Sequence, residues 1–420
     1  MRIAVVGSGI AGLASAWLLG EHHEVTLFEA NDYLGGHTHT HCVTLGEERL
    51  TVDTGFIVHN PRHYPLLSRM FAQLGVQTEP TTMSFSVRNE RTGLEYKAAT
   101  LRSLFCQKRN LFSPRFHGML RDIVRFYREA PRLLDQSEPG PALGQYLQSA
   151  GYGDAFGEDH LIPMAAALWS APPAEVLEFP ASFLVRFMAN HDMLRLGARP
   201  CWRVVRGGSA SYVRALEKCW RVAVRRSCAV TSVRRVAGRV AVQSAAGSGL
   251  FDHIVLACHS DEALRLLSDA TPQERRVLGA IRYQPNAVVL HTDATFLPRR
   301  PQAWAAWNAL VPSERGQPAT VSYLMNQLQG LKARQPLIVT LNPTRPVAPE
   351  RILRRMNYSH PLFTPGAIAA QGQKATLQGQ RGTWFAGAYW GFGFHEDGLR
   401  SAVEVAEALG VQWQQMAVAS

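Results

Sequence analysis

The chain has 420 residues, 46% of them hydrophobic, enough for a sizeable core and more than one domain. Its 44 basic residues against 33 acidic ones leave a net charge of +11 with no basic tail, which favours anionic ligands or an anionic membrane surface as partners. Neither Cys/His finger spacing nor an RNP-like aromatic strand is present, so nucleic acid is not an expected partner; the six cysteines, none in a CxxC pair, read as reduced structural thiols of a cytoplasmic protein, and no metal site is expected.

Residues 3–20, IAVVGSGIAGLASAWLLG, carry no charge. A secretion signal would need a small-residue cleavage site, yet the run ends in Glu21-His22-His23-Glu24; a membrane helix would be weakened by Gly7, Gly9 and Gly12. The stretch reads instead as the strand IAVV, a tight turn at Gly7, a close backbone approach to a pyrophosphate at Gly9, Ile10 and Ala11, and close helix packing at Gly12. The helix that follows points its positive end at the phosphates. A second strand, VTLFEA, ends at Glu29 and Ala30, where a carboxylate can accept both ribose hydroxyls of a dinucleotide.

Next comes NDYLGGHTHT, with Gly35 and Gly36 adjacent, and then VDTGFIVHN, with Asp53, Thr54, Gly55, Phe56 and Ile57. A Gly-Gly pair after a strand is by itself a turn. His37, His39 and His41 alternate onto one face of a strand and so mimic a metal site, but the glycines just upstream put His37 and Thr38 beside a cofactor instead. The order of these three segments resembles the FAD-binding amine oxidase and phytoene desaturase superfamily. The resemblance implies FAD as cofactor, with the second glycine pair along the flavin. It also implies an α/β fold: a Rossmann-like FAD-binding domain of the GR2 type with an inserted α+β substrate-binding domain.

Residues 115–134 place Phe116, Met119, Leu120, Ile123, Val124 and Tyr127 on one helical face and Arg121, Arg125, Arg128 and Arg132 on the other. Such a helix either packs into a core or lies on an anionic bilayer. Farther on, Phe179, Phe183, Phe187, Met188, Met193 and Leu194 could line an apolar tunnel or simply fill a helical core.

The segment RVVRGGSASYVRALEKC resembles the Gly-Gly helix with which the superfamily re-enters its FAD domain, and FDHIVLACHSDEALRLL, containing Ala257, resembles the return strand and helix. The strands between them carry Val230 at the position that usually contacts the adenine side. The FAD domain is thus assembled from residues 1–80, 200–275 and 365–420, and the substrate domain from 81–199 and 276–364. Residues 285–310 contain no lysine, although the resembled amine oxidases commonly offer one there to a water near the flavin. Tyr323, Asn326 and Gln327 lie in a strand-like segment that either positions substrate or forms structural hydrogen bonds.

At the C-terminal end, GTWFAGAYWGFGFHEDGLRSAVEVAEAL reads as a strand, a glycine- and aromatic-rich loop, and a helix opening near Asp397-Gly398. In the resembled fold this unit, including Gly387, Ala388, His395, Asp397, Gly398 and Leu399, closes over the flavin with its helix N-terminus facing the pyrimidine end, where a helix dipole stabilises negative charge. The amine oxidases carry a carboxylate after FAG; here Ala388 stands there. His395 and Glu396 are the first candidates for a general base, with capping as the competing role for Glu396 and Asp397; Tyr389 and Trp390 are candidates to wall the substrate site.

The phrases SYLMNQLQGL, MNYSHPLF and FAGAYWGFGFHEDGL narrow the resemblance to a bacterial branch of predicted NAD/FAD-binding proteins that includes a fatty-acyl desaturase of furan fatty acid biosynthesis. The resemblance implies dehydrogenation or isomerisation of a fatty acyl chain, free or within a phospholipid, by hydride transfer to flavin N5; the thiols read as cytoplasmic, and the net charge and the amphipathic stretch at 115–134 leave peripheral contact with an anionic inner membrane face open. Two alternatives stay open: a flavin amine oxidase acting on a small amine, and a non-catalytic FAD-containing lipid-binding protein. Oligomeric state and electron acceptor leave no mark in the sequence.

Overall fold

The computed structural model describes residues 1–135, 140–169, 171–194, 200–314, 317 and 319–413. Strand Arg2–Val6 sits at the centre of a five-stranded parallel sheet ordered Val222–Arg225, Glu24–Phe28, Arg2–Val6, His253–Leu256, Thr383–Phe385. The central strands are covered on both faces, which is why they read as continuous apolar runs and not as an alternation. Helix Ile10–Gly20 is buried along its whole length and packs on the last helix, His395–Ala408, so the two ends of the chain share one layer. Three antiparallel strands, Val230–Val236, Arg239–Ser244 and Gly247–Phe251, form a small sheet before the return to the parallel one.

A second, seven-stranded sheet draws Phe85–Asn89 and Leu94–Lys97 from the first half of the chain and its other five strands from residues 283–361. Helices between Pro114 and Asn190 pack beside it around a core of Phe126, Phe156, Trp169, Phe179, Phe187 and Phe363. The architecture is therefore the α/β arrangement expected, a Rossmann-like layer with an α+β insertion. Strand Thr320–Leu324 ends sooner than anticipated: Met325–Leu328 is one short helical turn, so Asn326 and Gln327 lie on a turn rather than a strand.

Amphipathic helix Pro114–Glu129 buries Phe116, Met119 and Phe126 in the protein core. On its other side Arg125 bonds Glu129 at 2.9 Å and stacks on the Tyr152 ring. This is the core-packed alternative; the apolar face of the helix is not available to a bilayer.

The first glycine turn is fixed by contact distance. Gly7 has φ +95°, open to glycine at no steric cost, and a Cβ on Gly12 would stand 1.8 Å from the Gly7 carbonyl oxygen. The obstacle is backbone and cannot swing aside. Gly12→Ala is expected to cost ~3 kcal/mol or more, read from the urea midpoint, whereas Gly118→Ala, with open space around a helical position, should be neutral or gain up to ~1 kcal/mol.

Candidate active site at the junction of two cavities

A cavity of about 630 Å³ runs past the C-terminal ends of the parallel strands, where open α/β sheets bind ligands. Gly7, Gly9, Ile10, Ala11, Glu29, Ala30, Gly35, Gly36 and His37 line one side; Val230, Ala257, Gly387, Ala388 and Tyr389 line the other. Helix Ile10–Gly20 enters with no side-chain cap and no acid in its first turn, leaving its N–H groups to an anion. A Cβ on Gly9 would meet nothing within 4 Å and would project into this space. Uncapped donors, a glycine cradle and a carboxylate one strand away fit the two phosphates and the ribose of FAD. Glu29 is more heavily engaged than anticipated: Ser8 N–H and hydroxyl donate to its Oε2 at 2.9 and 2.5 Å, and Asn31 donates twice to its Oε1 at 2.9 Å. The carboxylate thus also ties the glycine turn to the end of the second strand.

A second cavity, of about 300 Å³, lies between this layer and the seven-stranded sheet. Its walls are aromatic and aliphatic, among them Phe56, Met83, Phe85, Met164, Leu168, Trp169, Phe187, Trp307 and Tyr323. The two cavities share His37, Tyr358, His360, Pro361, Gly393, Phe394 and His395, so whatever binds in one touches whatever binds in the other at that set.

His395 is the best-held member. Its Nε2 lies 3.0 Å from the Thr38 hydroxyl and 3.3 Å from the Tyr212 hydroxyl, and its ring stacks on Phe56 with centroids 3.7 Å apart. Burial, with His59 nearby, pushes its pKa down to about 3. Burial likewise lowers His360 to about 4, against His259, and holds His37 well below the usual range beside His360 and His259. These imidazoles are neutral at physiological pH and are hydrogen-bonding groups rather than strong bases.

Several expected site residues do other work. The Glu396 carboxylate accepts from Leu66 and Leu67 N–H at 2.9 and 3.0 Å and so caps helix Pro65–Gln73, away from both cavities. Asp397 accepts from Phe392 and Phe394 N–H at 3.1 Å each and ties down the glycine-rich loop. Asn326 closes its own loop through Ala333, Gln335 and Leu337, and also lines neither cavity. Thr38 is buried behind the site, orienting Tyr212 (2.5 Å) and His395. Gly12, Gly398 and Leu399 are packing residues; a Cβ on Gly398 would press Ile10 at 2.7 Å. Thr54, Gly55, Phe56 and Ile57, expected along the cofactor, line the apolar cavity. Tyr389 walls the dinucleotide cavity and not the apolar one, its ring folded over Gly387. Tyr323 does line the apolar cavity, with its hydroxyl donating to the Ala167 carbonyl at 3.2 Å. Of the proposed tunnel residues, Phe187 and Met193 reach the cavity; Phe179, Phe183, Met188 and Leu194 belong to the core beside it.

Sequence reading missed Tyr358 and His360, although both lie in a segment it had singled out. Strand Ile352–Pro361 alternates, so the two project together, and Tyr358 bonds the Thr54 hydroxyl at 2.7 Å. His191 and Asp192 were missed as well. Asp192 sits at φ +53°, a conformation no periodicity announces, and meets Arg62 at 3.0 Å and His63 at 3.3 Å.

The family described as flavin containing amine oxidoreductase matches residues 10–336. A stretch of 77 residues is 38% identical to tryptophan 2-monooxygenase of Allorhizobium ampelinum, covering 18% of this chain and only 10% of that protein. Among solved structures, cyclohexylamine oxidase from Brevibacterium oxydans superposes with TM-score 0.70 at 15% identity over 97% of this chain and 99% of its own. A CLA-producing fatty acid isomerase from P. acnes gives 0.65 at 15% identity over 98% and 99%, and a reduced UDP-galactopyranose mutase 0.68 at 14% over 98% and 96%. These likenesses establish the fold; the chemistry attached to it differs among the three.

Two outcomes follow from the geometry. Gly9→Ala should leave the urea midpoint nearly unchanged while weakening flavin retention about tenfold or more, ~1.4 kcal/mol or more, read as bound flavin per protein after gel filtration. Asp53 fixes the strand before Thr54 to Ser209, whose N–H donates to it at 2.9 Å; burial pushes this carboxyl up to about 6 against opposing bonds from Thr40 and Ser209. The folded state therefore holds the proton more tightly than the unfolded chain. Its stabilising share is complete below pH ~4 and is lost as pH rises through ~6, by about 3 kcal/mol at most, and Asp53→Asn should flatten that limb of the stability profile.

Proposed function

The chain belongs to the flavin-containing amine oxidoreductase family, and from that premise we propose that it dehydrogenates or isomerises a fatty acyl chain, free or phospholipid-linked. FAD is its cofactor, and when bound it supplies hydride acceptance at the flavin ring. The observation that carries the reading is the chemistry of the apolar cavity where it meets the dinucleotide cavity. Its walls offer hydrocarbon contact, neutral imidazoles and tyrosine hydroxyls. At about 300 Å³ it falls at the lower end of the ~300–1,000 Å³ typical of small-molecule sites.

An ammonium group entering this cavity would lose its hydration without gaining a counter-charge. The only carboxylate on its wall among the described residues is Asp192, whose charge is already met by Arg62 at 3.0 Å. No lysine lines either cavity among the described residues. An uncharged carbon chain makes no such demand. The sharing of the fold with a fatty acid isomerase is compatible with this assignment and equally compatible with an amine oxidase.

In this reading Phe56 and the aromatic walls exclude water and hold the chain in line. His395, fixed by Thr38 and Tyr212, and His360 border the reacting carbons from the shared edge of the cavities. A histidine held near 3 is a weak base, so the proton lost from an acyl carbon is activated by an adjacent double bond or carbonyl rather than by the base alone.

The test is anaerobic mixing of the purified flavoprotein with phospholipid extracts, free fatty acids, or primary and polyamines. The flavin absorbance is followed, and the double-bond positions of recovered acyl chains are read by mass spectrometry. Bleaching or a shifted double bond with lipid, and no change with amines, is the expected result; bleaching by an amine overturns it. The two substrates also differ in pH profile. Because the site histidines titrate low, acyl turnover per substrate should stay level between pH ~6 and ~8, whereas an amine must enter unprotonated and its kcat/KM would climb about tenfold per pH unit over that range.

A further inference from the structure

We propose that the surface formed by residues 100–117 docks the protein on an anionic lipid bilayer, with Leu101, Leu111 and Phe112 entering the interface. These three are 77%, 49% and 85% exposed. Three of the six large hydrophobic side chains that are exposed among the described residues thus lie within one short stretch, and the two most exposed of all are among them. Scattered apolar residues on a surface need no explanation, but a concentration of this kind marks an interaction site.

The exposure is built into a rigid frame and does not come from a fraying end. Thr100 and Ser103 form a capping box at the start of helix Leu101–Leu104. Gln107 bonds Glu95 N–H at 3.0 Å and the Gly93 carbonyl at 3.0 Å, Asn110 bonds the Glu95 carbonyl at 3.3 Å, and the Phe105 ring packs on Phe116. The polar groups of the segment that turn inward are spent on strand Leu94–Lys97 and the Gly93 carbonyl before it, on Asp159, and on the segment's own turns. The apolar tips are what remains outside.

Charge complementarity identifies the occupant. No acidic residue occurs between Glu95 and Asp122, a span that carries Lys97, Arg102, Lys108, Arg109, Arg115 and Arg121. Glu95 itself is buried, accepting from the backbone N–H of Arg299 and Arg300, which brings two more exposed cations to the edge of the same surface. Among the described residues, Arg102, Lys108, Arg299 and Arg300 form no salt bridge. Apolar tips ringed by unpaired long cations match a bilayer with anionic head groups, since the tips reach the acyl boundary while the cations stay at head-group level.

The surface is also joined along the chain to the wall of the apolar cavity. Ala98, on the cavity wall, is three residues before Leu101, and Tyr127 lines the cavity from the helix that begins at Pro114. Acyl entry from the docked face would follow this continuity. This last step rests on the acyl reading above; the docking itself does not.

The experiment is co-sedimentation of the flavin-loaded protein with vesicles of phosphatidylcholine alone or mixed with phosphatidylglycerol, comparing wild type with Leu101→Ser/Leu111→Ser/Phe112→Ser and with Arg102→Glu/Lys108→Glu. Wild type should sediment with the anionic vesicles and be released by high salt, and each variant should partition about tenfold or more weakly while keeping its circular dichroism and bound flavin. Failure of wild type to bind, or equal binding by the triple serine variant, overturns the proposal. So does lipid-free self-association of wild type that the serine changes abolish, since the occupant would then be a second copy. Turnover of detergent-dispersed acyl substrate separates the two claims: vesicle binding without turnover leaves docking standing and removes the acyl reading, and the converse does the opposite.

Discussion

Two helix N-termini converge on one cavity, and they can do so only because each helix carries a glycine in its first turn. Gly12 lets the first helix settle against the Gly7 carbonyl, and Gly398 lets the last helix settle against Ile10. A methyl group at either position would push the helix off the layer, and the donors at its end would no longer face the cradle. The parallel sheet, the glycine-rich loop at 387–393 and the placement of His395 all depend on this close approach. A helix end is a fixed partial positive charge whose direction is set by packing, so steric fit here determines the electrostatics of the cofactor site.

The same layer fixes the character of the reaction space. His395 is the first residue of the last helix, yet its ring is drawn into the interior by Phe56, Thr38 and Tyr212. It is buried against other rings, and the cost of charging it there outweighs any gain from the neighbouring hydroxyls. His37 and His360 meet the same fate for the same reason, with His259 disfavouring charge on both and His360 on His37. A cluster of histidines that looks at first like a proton relay is thus a neutral, polarisable wall.

What the sequence disclosed, and what it did not, follows from the range of the interactions involved. The turn at Gly7 and the helix after it are local, and their residues carry the pattern within a dozen positions; the fold class and the cofactor were legible from that stretch and its echo after the second strand. Glu396 was not legible. Its neighbours in sequence made it a candidate base, but the N–H groups it accepts from belong to Leu66 and Leu67, some three hundred positions earlier. Asn326 and Thr38 misled for the same reason, since a buried polar side chain must find a partner and sequence does not say which. Tyr358 and His360 were within reach, as strand alternation alone puts them on one face; the missing knowledge was that this face meets the dinucleotide cavity.

Charge is sorted across the molecule in a way that joins the site to the surface. The net positive charge is carried outside, much of it on the arginines and lysines around residues 97–121 and 299–300, while the apolar cavity presents no cation and one neutralised acid among the described residues. A cationic exterior draws anionic assemblies by long-range attraction, which salt weakens. A neutral interior then rejects charge by desolvation, which salt hardly affects. A molecule that passes both filters carries its negative charge at one end and none along the part that reaches the flavin. In the reading proposed above, an amphiphile with an anionic head and a hydrocarbon tail meets both conditions, and a small ammonium compound meets neither.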